Sequence, residues 1–285
     1  MASMRDIKRR KQSVSSTQQI TKAMKLVSTV KLQKARAKAE QTTPYFDAMY
    51  STICSMLQKA GTIENKYLKP NDSTKKAVIV ITSNRGLAGG YNSNVVKLIT
   101  GSDIPKEDCK LYIIGNKGRE ALAHRGYEVV ADYSPVMEAP IYADAMKICA
   151  DVLEAFTSGE VGEIYLAYTH FKNTVSQIPK LMKLLPVEFE EEDVQNASAQ
   201  ALMNFEPNEE EALELIIPKY ITSLIYGALM EAVASENGAR MQAMDSATNN
   251  AEEIISDLSL KYNRARQGSI TQELTEIIAG AEALS

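Results

Sequence analysis

From Met4 to Lys59 the chain contains no glycine and a single proline, Pro44, and it is dominated by Ala, Lys, Gln, Met and Leu. Those are good helix formers, and only the proline interrupts them. Apolar residues recur at Met4, Ile7, Val14, Ile20, Met24, Val27 and Val30. Their spacing predicts one long helix with a narrow apolar seam, not the broad face of a globular helix. At the helical rise per residue such an element extends about 80 Å, further than a small domain is wide.

A second procession fills the other end: Leu213, Ile217, Ile221, Leu224, Ala228, Ala232, Ala239, Ala243, Ala247, Ala251, Ile254, Leu258, Tyr262 and Ala265. It predicts a helix of about 100 Å, bent at Pro218. Asn208 offers its N-cap, and Glu209 to Glu211 suit its first turn. Two such helices at opposite ends of one chain bury their thin seams most economically by packing antiparallel as a two-stranded coiled coil. Ala243, Ala247 and Ala251 would permit close approach, with Met24 or Val27 filling the gaps.

Between the helices the pattern changes. "KKAVIVITS" (Lys75 to Ser83) is a short apolar run rich in β-branched residues, followed by "NRGLAGGYN" and the helical "NSNVVKLIT". "CKLYIIG", "NKGREALAHRG", "YEVVADY" and the helix-like Ile141 to Phe156 continue the alternation, and "EIYLAYTHF" and "SQIPKLMKLLPVEF" add two strand candidates. Alternating strands and helices of these lengths predict a mainly parallel sheet, with room for an antiparallel edge. The expected fold is a long antiparallel coiled coil of N- and C-terminal helices with an inserted Rossmann-like α/β domain. Its expected boundaries are a first helix at 1–60, a central domain at 75–190 and a last helix at 208–285. No repeat of solenoid period is present.

The net charge of −4 over 285 residues is too mild for the whole molecule to be a nucleic-acid binder, but its distribution is uneven. Residues 1 to 40 carry many Lys and Arg against only Asp6 and Glu40, whereas no basic residue lies between Lys183 and Lys219. A basic helix without aromatic residues before Tyr45 lacks the stacking platforms of a single-strand binder and fits an acidic protein surface or a solvated face. Cys54, Cys109 and Cys149 are odd in number and have neither CxxC nor metal-ligand spacing, so no disulfide framework or zinc site is expected. The longest apolar region, Ile216 to Ala234, is broken by Pro218, Lys219 and Glu231, which argues against a membrane span. The Arg- and Ser-rich start has the composition of a transit peptide, yet helical periodicity runs through it without a cleavage-like site.

Catalytic constellations are missing. "GLAGGYN" (Gly86 to Asn92) occupies the strand-to-helix position of phosphate loops but has neither GxGxxG spacing nor a GKS/T ending, so a tight turn is the better reading. His124 and His170 stand apart from any spaced carboxylate or cysteine set. "EFEEEDV" (Glu188 to Val194) lacks the ligand spacing of a calcium loop and reads as a solvated linker. No cofactor or metal is expected. At the far end, Arg264, Arg266, Gln267, Thr271 and Glu273 spread around the last helix, so several of its sides meet polar surroundings.

Four segments carry a resemblance. "ITKAMKLVSTVKLQKA" (Ile20 to Ala35), "SNRGLAGGYN" (Ser83 to Asn92), "SENGARMQAMDSATNNA" (Ser235 to Ala251) and "ITQELTEIIAGAEA" (Ile270 to Ala283) are similar, in this order, to characteristic stretches of the gamma subunits of F-type ATP synthases. The resemblance implies a bacterial, non-catalytic rotor shaft that couples transmembrane proton flow to ATP synthesis or hydrolysis. It implies alpha and beta subunits around the shaft, epsilon and the c-ring below it, no nucleic acid, and a peripheral place on the cytoplasmic face of the cell membrane. Met24 and Arg240 match positions near the beta subunits' acidic lever segment; Arg266 and Gln267 match residues engaging a beta-subunit loop, and Thr271 and Glu273 match neighbours in that coupling region. The cysteine-bearing insertion of chloroplast relatives is absent, so its redox control is not implied.

Overall fold

The structure, a computed structural model, describes residues 4–60, 65–69, 71–188 and 209–282. The acidic stretch from Glu190 onward and the expected N-cap Asn208 lie outside them. The chain divides into two compact units, one of Met1–Ser28 with Met241–Ser285 and the other of Thr29–Arg240.

Helix α1 spans Met4–Ala60 and α5 spans Glu209–Glu282, 57 and 74 residues. Pro44 and Pro218 sit inside them, and each helix continues through its proline. The Pro218 carbonyl accepts the Thr222 hydroxyl at 2.8 Å, an ordinary back-bond one turn on.

In the larger unit five strands form one sheet: β1 (Lys76–Ile81), β2 (Cys109–Ile114), β3 (Glu128–Asp132), β4 (Glu163–Phe171) and β5 (Gln177–Leu185), in the order β3-β2-β1-β4-β5. The first four are parallel and β5 closes the sheet as an antiparallel edge. Helices α2 (Tyr91–Thr100), α3 (Asn116–His124) and α4 (Tyr142–Thr157) link the strands. The apolar runs Ala77–Ile81 of β1 and Leu111–Ile114 of β2 follow from burial on both faces. Ala77, Ile79 and Ile81 join α4, Ile53 and Met56 of α1, and the start of α5 in one core; Val78 and Val80 pack on α2 and α3 in another.

One stretch of α5 is long and apolar enough by composition to cross a bilayer, with mean hydropathy 1.3, but 56% of that stretch is buried. Leu213, Ile217, Ile221, Ile225 and Leu229 are fully buried in the sheet's core, so the hydrophobicity of this end of α5 serves the sheet.

In the smaller unit α1 and α5 form the expected pair. Thr21 Oγ1 and Thr248 Oγ1 are 2.8 Å apart and Lys25 Nζ donates to Asp245 Oδ1 at 2.5 Å, so rising numbers on one helix meet falling numbers on the other, an antiparallel arrangement. The seam itself departs from the expected one. Ile20, Val27 and Val30 are exposed by half or more, whereas Ile7, Lys11, Val14, Gln18, Thr21, Lys25 and Ser28 form the shielded stripe. Those positions alternate four and three apart, the heptad rhythm that keeps a seam facing its partner. Met244, Thr248, Ala251, Ile255, Leu258, Tyr262, Ala265 and Ser269 answer them on α5, with Ile255 in place of the expected Ile254. Apolar recurrence misplaced the seam because five of its seven positions on α1, Lys11, Gln18, Thr21, Lys25 and Ser28, are polar or cationic.

Candidate functional site

Strand β1 ends at Ile81, and the chain turns through Ser83–Gly90 into α2. Its polar groups are engaged within the fold. Ser83 N–H and hydroxyl donate to Asn92 Oδ1 at 2.9 and 3.0 Å, Asn84 Nδ2 donates to the Ser134 carbonyl at 2.8 Å, and Asn84 Oδ1 accepts the Asn116 N–H at 3.0 Å. Gly89 adopts φ +54° and Leu87 φ 61°, a left-handed pair that makes the turn tight. The next crossover approaches so closely that a Cβ on Gly115 would lie 2.1 Å from the Thr82 carbonyl oxygen. These contacts support the reading of a structural turn.

This turn docks on α5. Ala88 and Tyr91 are buried against Ala239, and the Arg240 guanidinium donates to the Arg85 and Gly86 carbonyls at 3.5 and 3.4 Å. Arg240 also pairs with Glu236 at 2.7 Å, one helical turn earlier, with 11% and 12% of the two side chains exposed. Two segments that carry the family resemblance, far apart in the chain, therefore meet. Burial pushes the Glu236 carboxyl above its ordinary range, and Arg240, with Lys31 and Arg85 beyond it, offsets part of the rise. Burial, with Glu236 adding, drives the Tyr91 phenol well above its usual value, and its hydroxyl has no hydrogen-bond partner among the described residues. Glu236 and Tyr91 were not singled out from the sequence; the (i, i+4) Glu–Arg spacing in a stretch of small residues was the available signal.

Arg240 is thus largely enclosed by its own chain. Met24 is half-buried on the flank of the seam in the other unit. Arg266, Gln267, Thr271 and Glu273 are all exposed, and α5 from Thr271 to Ala281 is exposed at every position. At about 100° per residue, Arg266 and Glu273 share one face and Gln267 and Thr271 an adjoining one. Thr271 donates back to the Gln267 carbonyl at 2.9 Å and Glu273 accepts from Ser269 at 3.3 Å. Between the two faces runs a stripe of Ile270, Leu274, Ile277 and Ile278, exposed by 49%, 55%, 67% and 59%. Apolar residues repeated along one exposed stripe mark a surface made for contact. The arrangement offers no nucleophile beside a base, and among the described residues no three His, Cys, Asp or Glu converge on a metal position.

A family model described as ATP synthase matches residues 3–284. The ATP synthase gamma chain of Lachnoclostridium phytofermentans is 68% identical over 291 aligned positions, with 100% of both chains covered. A sodium-ion-specific ATP synthase gamma chain of Acetobacterium woodii is 42% identical, with 99% of each chain covered. Among solved structures, the rotor of the Euglena gracilis mitochondrial ATP synthase matches with TM-score 0.65 at 19% identity, over 94% of this chain and 98% of that one. The central stalk of the Tetrahymena thermophila mitochondrial enzyme matches with TM-score 0.60 at 24% identity, over 80% and 99%. At these identities the structural matches speak for the fold.

Proposed function

Because the chain belongs to the ATP synthase gamma-chain family, we propose that it is the non-catalytic central shaft of an F-type ATP synthase, coupling transmembrane ion flow to ATP synthesis or hydrolysis. The observation that carries this reading is the end of α5, exposed all round and bearing an apolar stripe between two polar faces. A helix left bare in this way is completed by an enclosing partner. Alpha and beta subunits form that enclosure, with epsilon and the c-ring as further partners, and the assembly sits peripherally on the cytoplasmic face of the cell membrane.

The faces of the shaft differ, so chemically equal beta subunits around it meet different side chains. Only such differences in interaction free energy between states can bias one subunit toward one conformation. Arg266, Gln267, Thr271 and Glu273 supply them at the tip, and Met24 on α1; each charged contact contributes on the order of 1 to 3 kcal/mol. Arg240 holds the glycine-rich turn against α5. In an assembled complex, Arg266→Ala with Gln267→Ala should impair ATP-driven rotation and ion coupling. Unchanged rotation and coupling in the double variant would remove those two residues from the proposal.

A further inference from the structure

Within the larger unit, a cavity of about 640 Å³ lies among α1, α5 and the β4–β5 face of the sheet. That is the size of a small-molecule site. Tyr45 of α1, Tyr142 of α4, Tyr168 of β4 and Tyr226 of α5 line it. The rings of Tyr142 and Tyr226 meet edge to face at 5.6 Å. Tyr168, buried and with Glu231 nearby, has its phenol pushed up to about 12 and stays a hydrogen-bond donor at neutral pH.

Two further features point to an occupant. Gly227 lines the cavity from inside a helix, where glycine weakens the element, and a Cβ built on it meets nothing within 4 Å. No neighbour crowds the position, so the missing side chain leaves open space. The lining also carries a cation without an ion-pair partner among the described residues. Glu231 is held by His170 at 2.7 Å, and Lys183 pairs with Glu163 and Glu188. Lys180, opposite Tyr168 in the β4–β5 register, lines the cavity and has no ion-pair partner among the described residues.

We infer that this cavity is a binding site for a small aromatic anion, its ring stacked among the tyrosines beside Gly227 and its carboxylate or sulfonate on Lys180. The anionic group answers the Lys180 ammonium, which has no ion-pair partner among the described residues, and a planar ring fits walls made of tyrosine faces and edges. The site makes no use of the residues at the tip of α5.

The probe is 2-naphthoate, titrated calorimetrically into the purified full-length chain, with 2-naphthamide as its uncharged counterpart. Single-site binding is expected, weaker by about tenfold for the amide and for Lys180→Met, as loss of one charge-assisted hydrogen bond implies. Gly227→Leu fills the space while favouring the helix, so it should abolish binding without lowering the thermal midpoint. Lys180→Met lies on an exposed edge strand and tests the site even if Gly227→Leu does not fold. No binding at millimolar probe, or equal binding by the native chain and Lys180→Met, would overturn the inference.

Discussion

Glu163, at the start of β4, draws three donors onto one carboxylate. Lys76 and Lys183 approach at 2.8 and 3.1 Å, and the Tyr165 hydroxyl donates at 3.0 Å. Burial alone would raise its pKa, but those donors outweigh burial and lower it from 4.5 to about 2. Since the folded value lies below the unfolded one, the stabilisation is complete above pH 4.5 and is lost as pH falls toward 2. Glu163→Gln should therefore cost about 2 kcal/mol near neutrality, and urea titrations should show that deficit shrinking on acidification. Glu236 has the opposite sign. Its folded pKa is raised, so the folded state holds its proton more tightly and stability falls as pH rises from the unfolded value through the folded one. In Glu236→Gln that part of the pH dependence should disappear from the same measurement. Neither environment could be read in full from the sequence, because Lys76 and Lys183 reach Glu163 from other strands and the burial of Glu236 depends on packing.

The two long helices were legible as elements, and their faces were not. Helix-forming composition and apolar recurrence are local properties, and they located α1 and α5 closely. Which residues of α1 face α5 depends on the partner. Thr21, Lys25 and Ser28 are shielded there, while Val27 and Val30 remain 58% and 51% exposed. Val27→Ala or Val30→Ala should change the stability of the isolated chain by less than about 0.5 kcal/mol. Leu229→Ala, by contrast, empties a fully buried site in the sheet's core and should cost about 2–5 kcal/mol. Thermal or urea denaturation of the three variants separates the two kinds of position. The Thr21–Thr248 pair adds a polar layer to the seam, a device that fixes register at some expense in stability. Replacing both threonines with valine should leave stability within about 1 kcal/mol of native, since both partners of the hydrogen bond are removed together.

At the scale of the whole molecule, the chain is completed by what surrounds it. Among the described residues nothing covers α5 from Thr271 to Ala281, which is exposed at every position, and its backbone amides should exchange rapidly in the isolated protein. Joining it to alpha and beta subunits should slow that exchange at least about tenfold, and exchange mass spectrometry reads both states. If those amides were already protected in the isolated chain, the bare-tip argument would fail.

The sequence by itself determined the helix–sheet–helix order, the mainly parallel sheet with an added edge, and the family, because helix propensity, strand periodicity and motif order are carried locally along the chain. Tertiary structure decided what those elements do to one another. It set the polar heptad seam, drew Arg240 onto the turn after β1, balanced Glu163 against Glu236, and left a hollow beside Gly227. Each of these joins residues remote in sequence, so each is fixed by packing, burial and charge in three dimensions and by no local pattern.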